Sequence, residues 1–127
     1  MAEFALVLPI FLLIIFGIID GGRMVFTNNH LAEAAREGSR WGSVQGRSTT
    51  VVGRQLIVDE TIARINGVPA PGVTVSCERN EAPITNCQSG DVLIVRVESD
   101  FQLVTPFLGN LLGQPTLSAQ SKVMVNQ

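Results

Sequence analysis

The sequence predicts an α+β fold: a long N-terminal membrane-spanning helix projects from a small domain, where one or two helices pack on an antiparallel sheet of about three strands. Three observations carry this. Residues Phe4 to Ile19 hold no charge. Helical periodicity continues beyond them to Ile65. After Gly72 the apolar pattern changes to period two, the repeat of a strand with one buried face. A chain of 127 residues has room for one small domain and one long helix outside it. The division expected is 1–46, the apolar helix and its extension, and 47–127, a small extracytoplasmic α+β domain.

Composition narrows the function. Nine Lys and Arg against eleven Asp and Glu give a net charge of −2, which argues against nucleic acid as a partner, since phosphate binding needs a basic face. Only 16% of residues are charged and 46% are hydrophobic, whereas soluble domains carry about a quarter charged residues. The apolar excess lies at the front of the chain. One His excludes a site with two His ligands, and two Cys exclude a four-Cys zinc framework.

The uncharged run would span roughly 24 Å as a helix. A bilayer core takes about 20 apolar residues, so the run is slightly short and borrows length from Met24 to Phe26 or thins the bilayer. A buried core helix fits poorly, because every face is apolar and a chain this small would struggle to surround it. A cleaved secretory signal needs a basic start and a small-residue cut site; the start here, Met1-Ala2-Glu3, is acidic, and nothing directly after Ile19 reads as A-x-A. A membrane span fits best. Glu3 then either lies among headgroups or enters apolar surroundings with a partner cation. Pro9 removes one backbone hydrogen bond and loosens the turn beginning near Ala5. Asp20 ends the run.

Residues 24–46 continue as helix. Leu31, Ala34, Ala35 and Gly38 lie close to one side, and the small residues Ala32, Ala34, Ala35 and Gly38 let another element approach closely. Glu33, Arg36, Glu37 and Arg40 supply a solvated surface with i,i+3 pairs Glu33–Arg36 and Glu37–Arg40. A break with a cap at Ser48 or Thr49 follows. Val51 to Ile65 reads as a second helix, with Val51, Val58, Ile62 and Ile65 on its buried face, widened by Leu56 and Ala63; Asn66-Gly67 is its stop. Strands are expected at Val73–Cys77, Asp91–Phe101 and Leu117–Val125. The connection from Phe101 to Pro115 holds an apolar stretch, Pro106-Phe107-Leu108-Gly109 with Leu111-Leu112, expected as satellite core or as a partner surface.

Cys77 and Cys87 flank a polar stretch. A disulfide closing a hairpin-like loop is the simplest reading, worth about 2–3 kcal/mol in the chain-entropy model, and it favours the periplasm or cell exterior. Two free thiols in a reducing compartment are the alternative. No nucleophile elbow, phosphate loop or metal spacing stands in the sequence, so neither enzyme activity nor a cofactor is expected. His30 has no acid or nucleophile beside it, Glu98 and Asp100 at a strand end read as solvated charge, and Trp41 reads as packing against the second helix.

Glu3-Phe4-Ala5-Leu6-Val7-Leu8-Pro9, then Gly17, Asp20, Gly22-Arg23, and Leu31 with Ala34-Ala35-Arg36-Glu37-Gly38 and Arg40 together resemble the TadE-like pseudopilins, minor pilin-like proteins of Tad (Flp-type) pilus systems of bacteria. The resemblance is close over roughly the first 43 residues and extends beyond them only in layout. It implies a pilin-like, single-pass protein of the cytoplasmic membrane with its C-terminal domain periplasmic or extracellular. A prepilin peptidase would cut just before the apolar helix, which would then leave membrane lipid and pack with other pilins or pseudopilins in a pilus. Helix packing would rest on Glu3, Phe4, Leu6, Leu8, Pro9, Phe11 and Gly17, with Glu3 meeting a neighbour's N-terminal amine. No Lys or Arg precedes the span while Arg23 follows it, so orientation rests on the Cys pair and the resemblance rather than on flanking charge. A single-span accessory or scaffold subunit of a larger membrane complex is the alternative.

Overall fold

In the computed structural model, residues 2–45, 51–68, 71–105, 109 and 113–126 are described. The elements in chain order are α1 (Ala2–Gln45), α2 (Val51–Ala63), β1 (Gly72–Arg79), β2 (Ala82–Ile84), β3 (Val92–Asp100) and β4 (Thr116–Met124). The expected cap at Ser48 or Thr49 and most of the apolar stretch from Pro106 to Leu112 lie outside the described residues.

Helix α1 has 44 residues and runs through Pro9 without a break, a length of about 66 Å. Its rear half lies across β3 and β4, with α2 beside it over β1. Leu31, Ala34, Ala35, Ser39 and Ser43 are buried there, so α1 is at once the projecting rod and part of the core of the head. The sheet order is β2-β1-β3-β4, antiparallel throughout. Period-two alternation sets which face is covered. Leu93 lies between Cys77 and Val123, Val95 between Val75 and Ser121, and Val97 between Val73 and Ala119. These inward residues form the core with Leu31, Ala35, Ile57, Phe101, Leu117 and Val125. Thr74, Ser76, Gln120 and Lys122 stand on the other, wetter face.

The structure sharpens two sequence expectations. The first concerns strand number: the expected antiparallel sheet of about three strands is present, and among the described residues it counts four. The addition, β2, pairs with β1 through Arg79↔Ala82. Asn80 (φ 50°) and Glu81 (φ 63°) form the two-residue turn between them, the left-handed pair of a type I′ hairpin. Three residues containing Pro83 give almost no strand signal, so only the pairing reveals it.

The second concerns the face of α2. The buried side carries Gly53, Ile57 and Thr61, while Leu56, Ile62 and Ala63 are exposed and Val58 is half-buried. The reason is the close approach to α1. A Cβ on Gly38 would lie 2.1 Å from the Thr61 Oγ1, and one on Gly42 would lie 2.7 Å from Leu93 Cδ2 and 2.8 Å from Ile57 Cδ1. Facing positions must be small or slim at such a crossing, so apolar character alone picks the wrong stripe. Thr61 tolerates burial because its hydroxyl donates to the Ile57 carbonyl at 2.6 Å. Ile65 does pack on the core, as does Trp41; the helix itself ends at Ala63, before the expected Asn66-Gly67 stop, and Gly67 takes a left-handed φ of +74° in the turn beyond it.

Candidate helix-packing interface and its junction with the head

The front of α1 is bare. Phe4, Leu6 and Ile18 are each 70% exposed or more, and the large apolar side chains between them are exposed as well. The most apolar 18-residue window has a mean hydropathy of 2.6 and is 6% buried. Such a surface is the opposite of a soluble core helix and meets the length and composition required to cross a membrane. The structure places Glu3, Phe4, Leu6, Leu8, Pro9 and Phe11 exposed on this rod, while Gly17 faces open space. Because apolar side chains surround the axis, no single face is singled out for lipid or for a partner helix.

Asp20 closes the bare segment, about 26 Å along the helix from Glu3. It is only 3% exposed, and the loop after β3 comes down to meet it. One carboxylate oxygen accepts the Val104 amide at 3.0 Å. The other accepts the Thr105 amide at 3.0 Å and the Thr105 hydroxyl at 2.7 Å. Arg23, one turn along, lies 3.6 Å from Asp20. It donates to the Gln102 carbonyl at 3.4 Å and stands 5.4 Å over the Phe101 ring. A buried carboxylate is costly unless its oxygens are satisfied, and here the Phe101–Thr105 loop satisfies them. Helix and loop thus form a clamp where the rod enters the head. Gly22, between Asp20 and Arg23, is exposed.

The remaining expected residues sit further down α1. Ala34, Ala35 and Gly38 are buried, Arg36 is exposed, and Glu37 pairs with Arg64 of the α2 end at 3.3 Å rather than with Arg40. Arg64 also holds Glu60 at 2.6 Å. His30 stands edge-on to the Phe26 ring, at 4.3 Å between centroids. Glu98 pairs with Arg96 at 2.7 Å, and Asp100 accepts from Thr116, which is the solvated charge expected of them.

Cys77 and Cys87 form a disulfide, with Cα atoms 5.7 Å apart and both residues fully buried. Beside it Arg79 donates to both oxygens of Asp91, at 2.7 and 2.8 Å, and the Gln88 amide adds a third bond at 2.6 Å. Those bonds from Arg79 and Gln88 hold the Asp91 carboxyl at about 2. Arg54 of α2 donates to the Thr85 carbonyl and ties the same loop to the helix layer.

What the sequence missed is the partner of Asp20. An acid at the end of an apolar run is visible in the sequence; that it would be met by Val104 and Thr105, more than 80 residues on, is not. Gly42 and Thr61 were missed for a similar reason, since their importance comes from the close crossing.

Comparison with known proteins agrees with the rod rather than with the head. Residues 1–40 match the family model described as TadE-like protein. No curated protein and no solved structure matches the chain. The matched segment contains the bare rod, Asp20 and Arg23 of the clamp, and the small residues that enter the core. Over residues 1–40 the chain is therefore similar to TadE-like proteins.

Proposed function

We propose that the chain is a pilin-like structural protein of a Tad-type pilus system, a minor pilin held in the bacterial cytoplasmic membrane by its N-terminal helix until that helix packs with those of other pilins. The carrying observation is the contrast within α1: bare and apolar on all sides from Phe4 to Ile19, packed by one face into the head from Leu31 onward. Lipid tails are as apolar as Leu, so such a rod can exchange lipid for helix neighbours at small net cost. The match at residues 1–40 supplies the pilus context.

In this reading residues 1–46 are the rod and its extension, and residues 47–127 form the head, which sits on the periplasmic or outer side. The disulfide supports that side, because such bonds persist in oxidising compartments. The partners are membrane lipid, the helices of other pilins, and a prepilin-class peptidase. The role is structural rather than enzymatic. Glu3, exposed on the first turn, enters apolar packing on assembly and needs a cation there; a neighbour's N-terminal amine supplies it.

The test is Glu3→Ala in a piliated host. Assembled pili should be lost while the membrane level of the protein and its disulfide are unchanged. Normal piliation would overturn the reading. Recovery of the chain in a stable complex free of pilins would favour an accessory subunit instead.

A further inference from the structure

Directly after Asp20 the helix carries Gly21 and Gly22. A Cβ at either position would meet nothing within 4 Å, so neither glycine is required by packing. In a helix interior each costs about 1 kcal/mol relative to Ala, because glycine has the most backbone freedom to lose. Two in succession make a weak point in α1, and the clamp lies across it. Asp20, on the rod side, accepts from Val104 and Thr105. Arg23, on the head side, holds Gln102 and Phe101. Both grip one loop that leaves β3.

We propose that Gly21-Gly22 is a hinge between rod and head, and that Asp20 is the latch that holds it straight. With its three bonds made, rod and head move as one body. With Asp20 released to solvent, the rod tilts relative to the head. The latch is two-state rather than graded, since a carboxylate left in the buried position without its donors is strongly disfavoured. A rod that changes surroundings has a use for this freedom: the tilt that suits a flat bilayer need not suit a helical bundle. That use rests on the pilin reading; the hinge itself needs only the rod–head geometry.

The experiment measures distance across the hinge. Full-length protein with its native disulfide intact receives spin labels at Ile10→Cys and Ser118→Cys, both exposed positions, and is placed in phosphatidylcholine nanodiscs. Pulsed electron paramagnetic resonance should give one narrow distance distribution. Asp20→Ala should widen it at least about twofold, because paired glycines restrain the backbone least. Adding Gly21→Ala and Gly22→Ala to that variant should restore the narrow distribution. A narrow distribution in Asp20→Ala overturns the latch; a wide one in the triple variant overturns the hinge. Asp20→Asn, which keeps the size but exchanges one acceptor oxygen for a donor, covers the case that Asp20→Ala fails to fold. It too must widen the distribution, and a wild-type width there overturns the latch. None of these results depends on pilus assembly, so the Glu3→Ala test stands apart.

Discussion

Three carboxylates show how surroundings divide one chemistry into three roles. Glu3 is exposed on the first turn of α1, Asp20 is buried against a loop, and Asp91 is buried against Arg79. The Asp91 carboxyl sits at about 2, held there first by the Arg79 hydrogen bonds, against about 3.9 in an unfolded chain. A depressed folded value means that the group stabilises the fold above pH ~4 and that this contribution is lost as pH falls from about 4 through 2. Denaturant midpoints of the detergent-solubilised protein, followed by Trp41 fluorescence, should therefore fall between pH 4 and 2.5. Asp91→Asn should be less stable at pH 7 and should flatten that pH dependence. Equal slopes in both proteins would show that Asp91 is not the titrating group. Each carboxylate is plain in the sequence, but the partner that assigns its role is distant in the chain for Asp20 and a hairpin away for Asp91.

Among the elements, α1 and α2 cross closely, and there the sequence misled. Apolar positions on α2 were legible, yet the buried stripe runs through Gly53, Ile57 and Thr61. The geometry of closest approach chose it, because Gly38 leaves no room for even one methyl group beside Thr61. Gly38→Ala gains about 1 kcal/mol of helix propensity but overpacks the crossing, a cost of about 1–3 kcal/mol. The net expectation is a loss of up to about 2 kcal/mol in denaturant unfolding, and adding Thr61→Ala should recover most of it by removing the clashing hydroxyl. Failure of the double variant to recover would mean that Gly38 matters for another reason. The strands were far more legible, since Leu93, Val95 and Val97 alternate inward on β3 just as period two requires. The short β2 was not, because a hairpin turn with Asn80 and Glu81 at positive φ, rather than any run of β-forming residues, makes it pair.

At the scale of the whole molecule, one helix belongs to two environments. The large side chains from Phe4 to Ile19 are exposed around the full circumference, far beyond the scattered apolar residues of an ordinary surface. The full-length chain should therefore be monomeric in detergent micelles by light scattering and should associate or precipitate when detergent is removed, with its disulfide still formed. A freely soluble monomer in plain buffer would contradict both the membrane span and the packing of the rod with other helices. The head contributes to this division by being well wetted on the outer face of its sheet, where Lys122 pairs with Glu78 at 3.3 Å.

By itself the sequence determined the rod, its limits at Glu3 and Asp20, the helical stretch behind it, the three long strands and the nearness of Cys77 to Cys87. All of these follow from local periodicity, hydropathy or short spacing, which a chain displays along its length. Tertiary structure alone decided which face of α2 is buried, that a fourth strand pairs at the edge, and that the loop after β3 returns to satisfy Asp20. Those depend on which distant groups come within hydrogen-bond or van der Waals distance, and no local pattern records a contact between residues more than 80 positions apart.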